Sequence, residues 1–142
     1  MQQERKRKRR QAGVTLIEML VVVTIIALFA MLVAPSMFKN VDKANAVAAR
    51  AQINNFEQAL MQYKLSTGTF PPDLEALRTR PANVTQWEGP YLRKEIPLDP
   101  WKHPYLYKYP GEHGDEPDII SYGADGQPGG EGINADVVSW KN

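Results

Sequence analysis

Residues 14–34 form an apolar run of 21 positions whose only polar side chains are Thr15, Glu18 and Thr24. As a helix, a run of that length spans the hydrocarbon core of a bilayer, about 30 Å thick. Directly before it stand Glu4 and the basic series Arg5, Lys6, Arg7, Lys8, Arg9 and Arg10, which put +5 on the first thirteen residues. The chain as a whole is +1, so residues 14–142 carry −4. Lys and Arg gather on the cytoplasmic flank of membrane helices, which places residues 1–12 in the cytoplasm. A basic run in that position is a topology signal in preference to a nucleic-acid footprint, and no nucleic-acid partner is expected.

Pro35 closes the apolar run and is expected to kink or end the regular helix. The helical pattern resumes at once, because Ala46, Ala49, Ile53, Phe56, Leu60 and Tyr63 recur at spacings of three and four. Arg50, Gln52, Asn55 and Gln62 lie opposite, so residues 35–66 read as an amphipathic helix packed on something in water. The two halves make one helix, membrane-buried first and domain-covered later.

After Gly68 the texture changes, with ten of the eleven prolines falling between Pro71 and Pro128. That density leaves room for one short helix near Asp73–Thr79, started by Pro72 and Asp73. Tyr105–Tyr109 and Asp118–Tyr122 are the strand candidates, and a small antiparallel sheet on the helix stripe follows. The fold class is α+β. Its parts are a leader at 1–13, a membrane helix at 14–34, its amphipathic continuation at 35–66 and a globular part at 67–142. There is no cysteine, which removes a disulfide framework, a thiolate metal site and a Cys nucleophile. A small exported domain then needs another staple, such as a metal ion or oligomerisation.

Glu18 is the informative residue. A carboxylate in hydrocarbon costs about 2.5–3.5 kcal/mol on insertion scales, so it marks a functional site unless it snorkels to the interface. Around it runs Ala12-Gly13-Val14-Thr15-Leu16-Ile17-Glu18-Met19-Leu20. This resembles the class III signal of type IV prepilins and pseudopilins. The resemblance implies that a prepilin peptidase cuts between Gly13 and Val14, that Val14 is then N-methylated, and that Glu18 is the fifth mature residue. Val14 departs from the family's usual Phe. In a bundle of such helices the Glu18 carboxylate can pair with the amine of a neighbouring Val14, replacing a lone buried charge by a pair. The rival is an ordinary secretory signal cut near Ala27-Leu28-Phe29-Ala30, against which an acid early in the apolar region argues.

The remainder narrows the family. Thr69-Phe70-Pro71, Gly89-Pro90-Tyr91-Leu92-Arg93-Lys94, Asp99-Pro100-Trp101, Pro104-Tyr105 and Ser121-Tyr122-Gly123-Ala124-Asp125-Gly126 follow in an order that resembles the major pseudopilins of type II secretion systems. Asp99-Pro100-Trp101 reads as a turn with a packed indole. Tyr105, Tyr107 and Tyr109 read as one face of a half-buried strand.

The loop 121–136 brings Asp125, Glu131, Asn134 and Asp136 into a glycine-rich segment. Hard oxygen donors of this kind suit calcium, although the spacing is not that of an EF-hand and a polar surface loop is the alternative. The resemblance implies a Ca2+ site held by Asp125 and Asp136, with backbone carbonyls near Tyr122 and Gln127 as further ligands and Asn134 where an acid often stands.

No enzymatic constellation is expected, since His103 and His113 lack a nucleophile motif and no phosphate-binding loop is present. The resemblance implies a homopolymeric pseudopilus subunit. Its partners would be the prepilin peptidase, minor pseudopilins, an inner-membrane assembly platform and the lipid bilayer. The C-terminal part would lie in the periplasm, and the fibre would drive export of folded proteins. The alternatives are a type IV pilus pilin for adhesion or motility and a bitopic membrane-anchored binding module.

Overall fold

The computed structural model describes residues 13–141, with residues 34–40 described by backbone alone, so the leader up to Ala12 lies outside the described residues. The chain divides into two compact units, Met1–Lys39 and Asn40–Asn142. One helix, α1 (Leu16–Thr67), contributes to both.

In the first unit the window Leu16–Val33 is long and apolar enough to cross a membrane, and none of it is buried within the protein. Of the two outcomes expected at Pro35, an end to the helix is excluded, because the backbone remains helical through residues 34–40. Proline removes one main-chain hydrogen bond, a loss that a helix of 52 residues absorbs locally.

In the second unit the expected stripe is the core. Ala49, Ile53, Phe56, Leu60 and Tyr63 are buried together with Ala59. Arg50 is not simply on the opposite face: it is half-buried and donates to the Val138 carbonyl. It sits at the margin of the stripe, where a long stem can cover apolar surface while its head finds an acceptor. The helix stops at Gly68, which takes φ +86 and donates its N–H to the Lys64 carbonyl at 2.7 Å. Glycine reaches that left-handed conformation without a Cβ penalty.

The short helix forms as one 3-10 turn, Leu74–Leu77, with Asp73 as its cap: Asp73 Oδ1 accepts the Ala76 N–H at 2.9 Å. It buries Leu74, Ala76 and Leu77 against the stripe. Three antiparallel strands follow, β1 (Leu106–Lys108), β2 (Asp118–Ser121) and β3 (Val137–Val138), in the order β1-β2-β3. Tyr107 pairs with Ile119, and Ser121 with Val137.

Both expected strands are present, each shorter than its apolar stretch. The three tyrosines grade from buried Tyr105 through half-buried Tyr107 to exposed Tyr109. Tyr105 meets Phe56 edge to face at 5.2 Å, and burial followed by the Asp99 charge raises its hydroxyl to about 12. Tyr107 donates to the Pro71 carbonyl at 2.7 Å. β3 was not expected, because two valines at the end of a glycine-rich loop carry no strand periodicity.

Candidate functional site

Two places hold the residues singled out from the sequence, one at each end of the described chain. At the first, a Cβ at Gly13 would meet nothing within 4 Å among the described residues and Val14 is exposed, both ahead of the first helical residue. Thr15 immediately precedes α1, and its Oγ1 accepts the Glu18 N–H at 3.3 Å. A Thr followed three residues later by Glu is the signature of a helix N-cap, a signal present in the sequence alone. The acid in the first turn also faces the positive end of the helix dipole. Glu18 therefore has a local reason to be there as well as the assembly role expected of it.

The second place is the segment after β2. The loop leaves Ser121, turns at Gly123 (φ +63) and Gly126 (φ +66), and returns through a 3-10 turn at Gly132–Asn134 into β3. Ala124 donates to the Ile133 carbonyl at 3.0 Å, closing the two limbs on each other. The closure is tight: a Cβ at Gly123 would lie 2.9 Å from the carbonyl oxygens of Ile133 and Ala135. One at Gly130 would lie 2.6 Å from the Asn134 carbonyl oxygen. Glycine at these two positions is a requirement of packing.

This return brings the stretch holding Tyr122 beside the stretch holding Asn134, and it seats the two acids at the turns. Asp125 Oδ1 accepts the Gln127 N–H at 3.1 Å, bending the chain after the first turn. Asp136 Oδ2 accepts the Gly129 N–H at 2.9 Å, tying the outer limb to the entry of β3. Asp136 Oδ1 is buried and takes no hydrogen bond among the described residues. A carboxylate oxygen withdrawn from water without a donor is costly, and a cation is one partner that would satisfy it. The donor chemistry fits calcium in that one respect: two carboxylates, one side-chain amide and main-chain carbonyls are all oxygen donors. Among the described residues no three His, Cys, Asp or Glu side chains converge on a metal position, so carbonyls would have to complete the set.

Asp99, expected only as a turn residue, is the buried support of this loop. It is 2% exposed, and its Oδ2 accepts the Ser121 Oγ–H at 2.6 Å. Trp101 packs beside it against the core as a partly buried indole, in line with the expected turn.

Residues 36–140 match the family described as type II secretion system protein G, and residues 8–34 match the prokaryotic N-terminal methylation motif. The type II secretion system core protein G of Vibrio cholerae is 42% identical, with 95% of each chain covered. That of Pseudomonas aeruginosa is 39% identical, with 95% of this chain and 99% of the relative covered. The crystal structure of the major pseudopilin from the type 2 secretion system of enterohaemorrhagic Escherichia coli is similar in fold. It has a TM-score of 0.60 and 31% identity over 75% of this chain and 95% of that one.

Proposed function

This chain belongs to the type II secretion system protein G family, and from that premise we propose how its parts serve one fibre subunit. The protein is a major pseudopilin, a structural subunit of the type II secretion pseudopilus. The observation that carries this reading is the union of two features in one chain. An apolar helix with none of Leu16–Val33 buried carries the methylation motif, and a pseudopilin-like globular unit follows it.

The apolar helix is a single-pass inner-membrane anchor. The finer account is ours. The basic residues 5–10 hold the leader in the cytoplasm, and residues 40–142 face the periplasm. Prepilin peptidase removes residues 1–13, and Val14 receives the methyl group. The exposed side chains of Leu16–Val33 then pack against those of neighbouring subunits, and Glu18 meets the Val14 amine of the next copy. An inner-membrane assembly platform draws subunits from the bilayer beneath a tip of minor pseudopilins, and the fibre drives folded proteins across the outer membrane. The chain works as a building block and performs no catalysis of its own.

In the loop, Asp125 and Asp136, the carbonyls of Tyr122 and Gln127, and Asn134 hold a calcium ion. Support comes from the buried Asp136 Oδ1, which has no hydrogen-bond partner among the described residues, and from the tight return that closes the segment. When bound, calcium supplies a cross-link between the two limbs of the loop in a domain that has no disulfide.

Intact mass of the membrane-extracted protein tests the reading. A chain starting at Val14 with one added methyl group is expected. A start at Met31, or an uncleaved chain, overturns it. In a deletion strain, retention of exported proteins in the periplasm distinguishes a secretion subunit from an adhesion or motility pilin and from a monomeric anchored module.

A further inference from the structure

His103 lies beneath the candidate loop and touches it at two points. Its backbone is fixed first. Residues 99–103 form a tight turn closed by Asp99 N–H to the His103 carbonyl at 2.8 Å and Lys102 N–H to the Asp99 carbonyl at 2.9 Å. Asp99 Oδ1 accepts the N–H groups of Trp101 at 3.0 Å and of His103 at 2.8 Å. The same carboxylate, through Oδ2, accepts the Ser121 hydroxyl at 2.6 Å. One buried group thus sets both His103 and the residue preceding Tyr122.

The ring then reaches the loop itself. His103 Nδ1 lies 3.1 Å from the Gly123 carbonyl oxygen. A carbonyl can only accept, so Nδ1 carries the proton in this contact. The ring also underlies Gly126, where a Cβ would come within 3.1–3.3 Å of three ring atoms. Gly123 and Gly126 flank Asp125 on either side, and both take positive φ. The imidazole therefore holds the two bends between which Asp125 is presented.

We propose that His103 is a positioning residue for the cation loop: its Nδ1–H and ring face set the geometry of residues 123–126 and thereby the loop's affinity for a calcium-sized dication. The inference rests on the calcium reading above. Removing a group that orients ligands from outside the coordination sphere typically costs about 10- to 100-fold in metal affinity, and that loss is expected here.

The test compares the parent full chain in detergent with His103→Ala, His103→Gln and His103→Asn. The Asn amide nitrogen sits close to where imidazole Nδ1 sits, whereas the Gln amide reaches the Nε2 position. Calcium affinity is measured by titration after chelator treatment, and amide hydrogen exchange of residues 124–127 is followed in chelator. Ala and Gln are expected to weaken calcium binding at least tenfold, within the range above, and to speed exchange at 124–127. Asn is expected to keep both near the parent's values. Parent-like calcium binding in the Ala and Gln variants overturns the proposal, as does an Asn variant as weak as Ala. A parent that does not bind calcium overturns it by sinking the calcium reading. In that case the exchange rates in chelator still tell whether His103 holds the loop, so the two failures are distinguishable.

Discussion

The ring of His113 lies flat on that of Trp140, centroids 3.7 Å apart and planes 4° from parallel. Its Nδ1 is 2.8 Å from Asp118 Oδ2. The turn after β1 is thereby fastened to the chain following β3, on a sheet edge only two residues long. Stacked rings are worth about 0.5–1.5 kcal/mol beyond the area they bury. Trp140→Ala is expected to lower the melting temperature and Trp140→Phe to keep most of the loss back. Thermal melts followed by circular dichroism check it, and equal melting of Ala and Phe variants refutes the stacking contribution.

Asp118 predicts the acid limit of the domain. Burial pushes its carboxyl up, but the His113 ring and the amides of Glu112 and His113 outweigh that, and it titrates below its ordinary 3.8. A depressed carboxyl contributes stability that is complete above its unfolded-state value and is lost as pH falls through its folded value. Asp118→Asn should therefore be less stable at neutral pH and lose less stability on acidification below about pH 4. Glu57 contributes with the opposite sign, since burial and Glu116 raise it against the pull of Arg50. The quantity to measure is thus the difference between parent and variant across pH; parallel curves sink the assignment.

Asp125→Ala separates the calcium reading from ordinary loop stability. A ligand at about one hundred times its Kd adds about 2.7 kcal/mol to a folded state that alone binds it. The variant is expected to melt slightly below the parent in chelator, for the lost Gln127 N–H contact, and much further below it in calcium. Identical melting of the two under both conditions removes the ion from the account.

Glu18→Gln distinguishes the two roles at the start of α1. Gln serves in the third helical position of an N-cap as Glu does, so the Thr15 cap survives while the charge is lost. The expected outcome is a processed, membrane-inserted subunit that fails to polymerise, read as loss of sheared fibre on an immunoblot. Normal fibre yield would leave Glu18 with the cap alone.

Lys102 takes φ 75, the only described residue other than glycine at positive φ. That conformation costs an L-residue about 1–2 kcal/mol, against about 0.5–1 kcal/mol for the extra freedom glycine loses on folding. Lys102→Gly keeps the N–H bond to the Asp99 carbonyl and is expected to raise stability by about 0.5–1 kcal/mol. Unchanged or lower melting of this variant refutes the strain.

The stripe Ala49, Ile53, Phe56, Leu60 and Tyr63 was legible because a helix repeats every 3.6 residues and the core reads that repeat directly. The cap at Asp73 and the two longer strands were legible from residue type instead, an acid after proline and β-branched or aromatic runs between turn residues. Arg50 was misplaced because periodicity gives an angle around a helix, not the acceptor that meets its guanidinium from 88 residues away. β3 escaped because two residues carry no period, and they become a strand only by pairing with Ile120 and Ser121. Asp99 looked like a turn residue and His103 carried no motif, and their links to Ser121 and Gly123 cross about twenty residues with no local signature.

The sequence by itself determined the anchor helix, the basic run that precedes it, the motif around Gly13 and Glu18, and the buried face of the second half. These follow from hydropathy, charge and period, which act within a few residues of chain. Only the tertiary structure decided that Asp99 supports the loop through Ser121 and His103, that His113 clasps Trp140, and that Asp136 keeps one oxygen buried without a donor among the described residues. Those relationships depend on which distant groups are brought within hydrogen-bonding or stacking distance, and packing against the helix stripe sets that.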